Sequence, residues 1–160
     1  MSAVDSAASP SRPRSAVSTG VGLAGLAQPV TASKWYSLVD RVVRGETVAC
    51  QRGGKEVHVA DVARAAVHLL SVESIAGECF NCYDRYVSEF EVAELARELS
   101  GSEADIQGAP SRPRHEIETG KLRSLGVTFG GQARLRATVE QLVQAIVSRA
   151  DAASAGSASR

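Results

Sequence analysis

The apolar residues of this chain switch repeatedly between helical spacing and short strand-like runs, and that alternation limits the fold more than any other feature. Trp35, Leu38, Val39, Val42 and Val43 share one face of a helix of about ten residues, opened by Ser33 and followed by Gly45. Thr47–Gln51 is a short strand candidate. Val59–Ser71 returns to helical spacing, with Val62, Ala66, Leu69 and Leu70 as its apolar side. Gly77 precedes a second strand candidate, Glu78–Tyr83. Ser88 and Glu91 have the spacing of a capping box, in which each residue satisfies a free amide at a helix start. The helix they open buries Phe90, Val92, Leu95 and Leu99 and stops at Gly101. Ala104–Gln107 is a third strand candidate. Thr119 opens a short helix through Leu125, stopped by Gly126, and Leu135, Val139, Leu142 and Ile146 mark a final helix over Gln132–Ser148. About five helices and a few short strands make the class α/β, with too little strand for an independent doubly wound sheet.

The two ends do not share this patterning. Residues 1–20 are mostly Ser, Ala, Pro and Arg, and residues 150–160 are Ala, Ser and Gly with two charges. Neither end has enough large apolar side chains to offset the entropy of ordering it, so both read as flexible tails around a folded region 21–149. The Ser-rich start, with two arginines and one acid, reads as a disordered extension rather than a transit peptide. The whole chain is 160 residues, a length that suits one domain with a single core. Eighteen basic residues balance eighteen acidic ones, which argues against a general nucleic-acid or membrane-surface binder. No stretch approaches the ~20 apolar residues of a membrane span. Three cysteines, Cys50, Cys79 and Cys82, are too few and odd in number for a disulfide framework, which points to a reducing compartment such as the cytoplasm.

Several motifs carry potential chemistry. Gly20-Val-Gly22-Leu-Ala-Gly25 matches the dinucleotide fingerprint, which needs a strand before it and a helix after it so that helix amides meet the pyrophosphate. Here a polar segment precedes it and Pro29 interrupts the would-be helix, so a glycine-rich loop is the better reading. Cys79-Phe-Asn-Cys82 matches C-x-x-C, but on a strand residues three apart point to opposite faces, and no second pair or clustered histidine completes a metal site. None of Tyr36, Tyr83 or Tyr86 has a lysine four residues later, so a Tyr-Lys proton-transfer pair is absent. The segment Val57–Ala65 reads as a strand end running into a helix. His58 and Asp61 lie at that helix start, near free amides, where an anionic ligand can be held; a capped helix with a half-buried histidine is the plainer alternative.

Taken in order, several of these segments resemble one family. Ser33-Lys34-Trp35-Tyr36, the run Gly53-Gly54-Lys55-Glu56-Val57-His58-Val59-Ala60-Asp61-Val62-Ala63, Gly77–Asp84 and Thr119–Gly126 are similar to the C-terminal half of NAD-dependent epimerase/dehydratases, the extended short-chain dehydrogenase/reductases. Gly25–Pro29 resembles a loop of that family, with Ala24 where the family commonly has Tyr. The resemblance covers about residues 19–148. It implies a partial Rossmann-type, substrate-binding half and a nucleotide sugar or similar small molecule as ligand; Lys55 from this resemblance, with His58, Asp61 and Arg64 from the helix start, are the candidate substrate-binding residues. It also implies NAD or NADP, held by a preceding half that carries the fingerprint and the Tyr-Lys pair, neither of which this chain contains. Aligning on His58 puts Gly54 where many nucleotide-sugar members have an arginine for the diphosphate, with Lys55 adjacent as its substitute. The expectation is therefore the substrate-side portion of such an enzyme, as a fragment or one part of a split protein, without turnover alone. A metabolite-binding module without catalysis, and a non-catalytic subunit that self-associates or joins a partner supplying the other half, are the alternatives.

Overall fold

The computed structural model describes residues 21–157. The expected N-terminal tail, Gly20 of the fingerprint and the last three residues lie outside that range. Two small sheets and five α-helices make up the described chain. The first sheet has the order β1-β3-β4, with β1 (Gly22–Ala24) parallel to β3 (Gly53–His58) and β4 (Arg85–Ser88) antiparallel to it. The second sheet pairs β2 (Val48–Cys50) with β5 (Ile106–Gly108) in parallel. The helices are α1 (Tyr36–Val43), α2 (Val59–Leu70), α3 (Glu89–Ser100), α4 (Gly120–Ser124) and α5 (Gly131–Ser157). The α/β class, with five helices and few short strands, is as expected from the sequence.

The main core lies where α1, α3 and α5 pack on one another and on the sheets. Val39, Val42, Val92, Val139 and Leu142 are fully buried there, with Trp35, Val87 and Leu135 at the margin facing β3 and β4. Burying each such side chain contributes ~1.5–3 kcal/mol. A second, smaller cluster forms under α2 from Ala65, Leu122 and Val127, with Leu69, Phe80, Cys82 and Phe129 against it.

Local signals explain most boundaries. Ser88 Oγ accepts the Glu91 amide at 3.1 Å, the capping-box bond, and Gly101 ends α3 with φ 66°, a left-handed conformation that costs glycine nothing. The strand expected at Glu78–Tyr83 is irregular chain instead, and the strand begins at Arg85, where Tyr86 and Val87 find β3 as a partner. The segment read as a glycine-rich loop is strand β1 from Gly22 to Ala24, because β3 supplies it with a ladder that no local propensity could foretell. Ser33 does not cap α1; its hydroxyl accepts the Ala27 amide at 2.9 Å and Trp35 is the residue before the helix. Helix α5 extends past Ser148 to Ser157 through an alanine-rich stretch, alanine being the best helix former.

Helix α2 differs most from its expected orientation. Its buried residues are Asp61 and Ala65, with His68 and Leu69 half-buried, whereas Ala66 and Leu70 face outward. Leu70 is 88% exposed and Val67 69%, and Val59 lies on the same side. Two apolar stripes run along this helix, and the inward one carries Asp61, whose buried carboxylate meets Arg64 and the Gly130 amide.

Candidate functional site

Side chains alternate along a strand, so Gly54, Glu56 and His58 share one face of β3 while Lys55 and Val57 take the other. The register places Gly22 and Ala24 of β1 beside Glu56 and His58, and Arg85 and Val87 of β4 beside Glu56 and Gly54. Trp35 from the start of α1 and Arg134, Leu135 and Thr138 from α5 close over this face. Two concavities result. A narrow cleft of about 20 Å³ lies among Ala24, Trp35, Glu56, His58, Arg85 and Arg134, room for about one water molecule. An open groove of about 400 Å³ lies among Lys34, Trp35, Arg52, Gly53, Gly54 and Glu89. Trp35, Glu56 and Val87 line both.

His58 caps α2. Its Nδ1 accepts the Ala60 amide at 3.1 Å, which leaves the proton of the neutral ring on Nε2. Burial pushes the imidazole below its ordinary value, the Arg134 guanidinium pushes it further, and Asp61 offsets part of the effect. The neutral ring is therefore favoured, and its Nε2–H meets no acceptor among the described residues. Gly25 lies over the ring: a methyl there would sit 3.4 Å from Nε2 and 2.8 Å from Val59 Cγ1.

Asp61 is fully buried and tied on every side. Oδ2 accepts the Gly130 amide at 3.0 Å, Oδ1 meets Arg64 Nη2 at 2.6 Å, and Arg134 Nη2 stands 3.8 Å away. Asp84 accepts the adjacent Gly131 amide at 2.8 Å. Two carboxylates thus receive the free amides at the start of α5, where the helix dipole favours negative charge. Arg64 also donates to the Thr128 carbonyl at 2.7 Å.

Of the four residues expected to bind substrate, His58 alone lines the cleft. Asp61 and Arg64 form an ion pair beneath the start of α5, and Asp61 steadies Arg134, which does line the cleft. Lys55 pairs with Tyr86 on the opposite face of β3 and lines neither concavity. Sequence reasoning did not select Glu56, Arg134 or Trp35. A period of two counted back from His58 selects Glu56 and rejects Lys55; Arg134 has no such signal, since it comes from a helix 76 positions later in a chain of 160 residues.

Three further motifs are settled by placement. The C-x-x-C pair lies in irregular chain, with Cys79 exposed and Cys82 packed in the cluster under α2. Burial and the nearby Asp61 and Asp84 push the Cys82 thiol up, which disfavours a reactive thiolate. Among the described residues no group of His, Cys, Asp and Glu could hold a metal ion. The glycines of the fingerprint do not fit a nicotinamide dinucleotide: Gly22 is in strand β1, and the chain after Gly25 makes a single 3-10 turn at Val30–Ala32 where a phosphate needs the start of an α-helix. Among the described residues no helix is long and apolar enough to cross a membrane.

No family model matches the sequence, and no curated protein matches it. Solved structures do. The chain is similar to RMD from Pseudomonas aeruginosa complexed with NADPH, at TM-score 0.60 and 18% identity, over 79% of this chain and 46% of that one. It is similar to UDP-glucose 4-epimerase from Thermotoga maritima with UDP-glucose, at TM-score 0.53 and 19% identity, over 78% and 44% of the two chains. A third is the Thermus thermophilus UDP-glucose 4-epimerase complex with NAD, at TM-score 0.52 and 24% identity, over 75% and 43%. At these identities the likeness establishes the fold, which is part of a Rossmann-type epimerase fold. The chain spans less than half the length of the structures it matches.

Proposed function

We propose that this chain is the substrate-side portion of an NAD-dependent epimerase/dehydratase-like protein and binds a nucleotide sugar or similar metabolite without turning it over alone. The observation that carries the reading is the coverage: three quarters or more of this chain matches less than half of structures that include epimerases with UDP-glucose and with NAD. The cleft and groove along β3 support it, since they gather neutral His58, the Arg134 and Arg85 guanidiniums and Glu56 on one face. In this reading His58 donates through Nε2, Arg134 carries the positive charge toward an anionic group, and Asp61 positions Arg134. Arg64 completes the charge of buried Asp61, and Lys55, on the other face of β3, takes no part. NAD or NADP would supply hydride transfer, chemistry that side chains do not replace, and the described residues do not hold it. Calorimetry of the purified chain tests this. UDP-glucose is expected to bind with an affinity better than millimolar, NAD to give no heat, and a coupled assay to detect no epimerisation. Absence of nucleotide-sugar binding at millimolar concentration, or turnover by pure protein, overturns the reading.

A second reading has its own observation. Leu23, Leu26, Val59, Val67 and Leu70 are large apolar residues exposed on β1, the loop after it and α2. Such patches favour association, so a role as a non-catalytic subunit is the alternative. Light scattering that finds a monomer at all concentrations, with no binding of a hydrophobic dye, counts against it.

A further inference from the structure

The segment Glu78–Tyr83 has the side-chain pattern of a strand without the pairing of one. Phe80 and Cys82 pack into the cluster under α2, while Glu78, Cys79 and Asn81 between and before them are exposed. Both ends are fixed: the Glu78 amide donates to the Ile75 carbonyl at 3.0 Å, and the Asp84 amide to the Glu56 carbonyl at 3.1 Å. Among the described residues no backbone–backbone hydrogen bond involves Cys79–Tyr83. Side chains hold the run in place instead. Asn81 Nδ2 donates to the Glu118 carbonyl at 3.0 Å, and Lys121 Nζ donates to the Cys79 carbonyl at 3.1 Å and pairs with Glu78.

Backbone N–H and C=O groups are strong, obligatory hydrogen-bonding groups, and an open row of them is a template for another chain. Natural edges are guarded by lysine, proline or a bulge. Cys79-Phe-Asn-Cys-Tyr83 carries no charge, no proline and no glycine, and two of its five residues are aromatic, the composition that favours strand pairing. One chemistry matches a row of alternating donors and acceptors, and that is another extended backbone.

A second copy of this chain supplies such a backbone. The run is uncharged, so two copies meet along it without repulsion, and a segment paired with itself about a two-fold axis is antiparallel. We infer that Cys79–Tyr83 is a docking strand, and that its occupant is the same strand of a second copy. The open row centres on Asn81, so the axis passes there and Phe80 faces Cys82 of the partner subunit. Glu78 and Asp84 then lie across the axis from each other, Glu78 balanced by Lys121 and Asp84 holding the Gly131 amide. The exposed Val67 and Leu70 take no part, since α2 packs its Ala65 and Leu69 side toward Phe80 and Cys82. This rests on the subunit reading and names its partner and its contact.

Sedimentation of the full chain under reducing conditions, with amide hydrogen exchange followed by NMR, tests the inference. The wild type is expected to form a reversible dimer at sub-millimolar concentration, with the Phe80–Cys82 amides exchanging more slowly as concentration rises. Asn81→Pro removes a donor at the axis, and Cys79→Lys places a charge on the edge. Each is expected to weaken the dimer at least tenfold, and Leu70→Glu is expected to leave it unchanged. C79K alters an exposed side chain, so it decides the question even where N81P does not fold. A dimer of undiminished strength in C79K, or Phe80–Cys82 amides that exchange at one rate at every concentration, overturns the inference. A dimer lost in L70E and kept in C79K would leave the subunit reading standing and remove this one. A monomer at all concentrations removes both.

Discussion

His58 and Asp61 stand three residues apart at the start of α2 and serve different ends. His58 favours the neutral ring because burial disfavours the charged form and Arg134 stands near, with Asp61 offsetting part of the effect; the neutral ring also leaves Nδ1 able to cap the Ala60 amide. Its folded pKa lies below the unfolded value, so the unfolded chain binds the proton more readily, and stability falls as pH drops through the ordinary imidazole range. A proton-NMR titration is expected to place the His58 midpoint below that of a free imidazole, and His58→Asn, which retains a capping oxygen, is expected to flatten the stability slope across that range. A midpoint at or above the free value would contradict the assignment. Asp61 serves the fold: removing its carboxylate strands the Gly130 amide and two guanidiniums at the start of α5. Because Arg64 is half-exposed and water can take over part of its pairing, Asp61→Ala is expected to cost roughly 2–4 kcal/mol in urea denaturation. A loss under about 1 kcal/mol would show that the link is dispensable.

At the scale of elements, helices were the legible part. The faces of α1, α3 and α5 follow from apolar spacing alone, because each helix has one stripe of large side chains and the core is where those stripes meet. The start of α3 was legible down to the atom, since the Ser88–Glu91 bond is local; Ser88→Ala is expected to lower stability by about 1 kcal/mol, read as a shift in the thermal midpoint. The strands were less so. β1 and β4 exist through pairing with β3, and neither Gly22–Ala24 nor Arg85–Ser88 carries a pattern that declares it. Helix α2 misled because it has two apolar stripes, and the inward one is fixed by a buried aspartate that composition marks as polar. The candidate site followed the same division. His58 was reachable from local sequence, as a residue before a helix, whereas Arg134 reaches the cleft only through tertiary packing.

At the scale of the molecule, three helices and two short sheets suffice for a core, and the candidate site lies on the face along β3. That face meets the start of α1 on one side and the start of α5 on the other, so a ligand lying along it would touch Gly54, Glu56, His58 and Arg134 in turn. The glycines of the fingerprint do not fit a nicotinamide dinucleotide, and the structures the chain matches are more than twice the length it covers. Binding without turnover is the behaviour we propose. Titrating the full chain with UDP-glucose while following its backbone amides tests this most directly. The expected result is a saturable set of shifts running along β3 from Gly54 to His58 and across the start of α5 at Gly131–Leu135; no shift at millimolar ligand, or shifts confined to other surfaces, would contradict it.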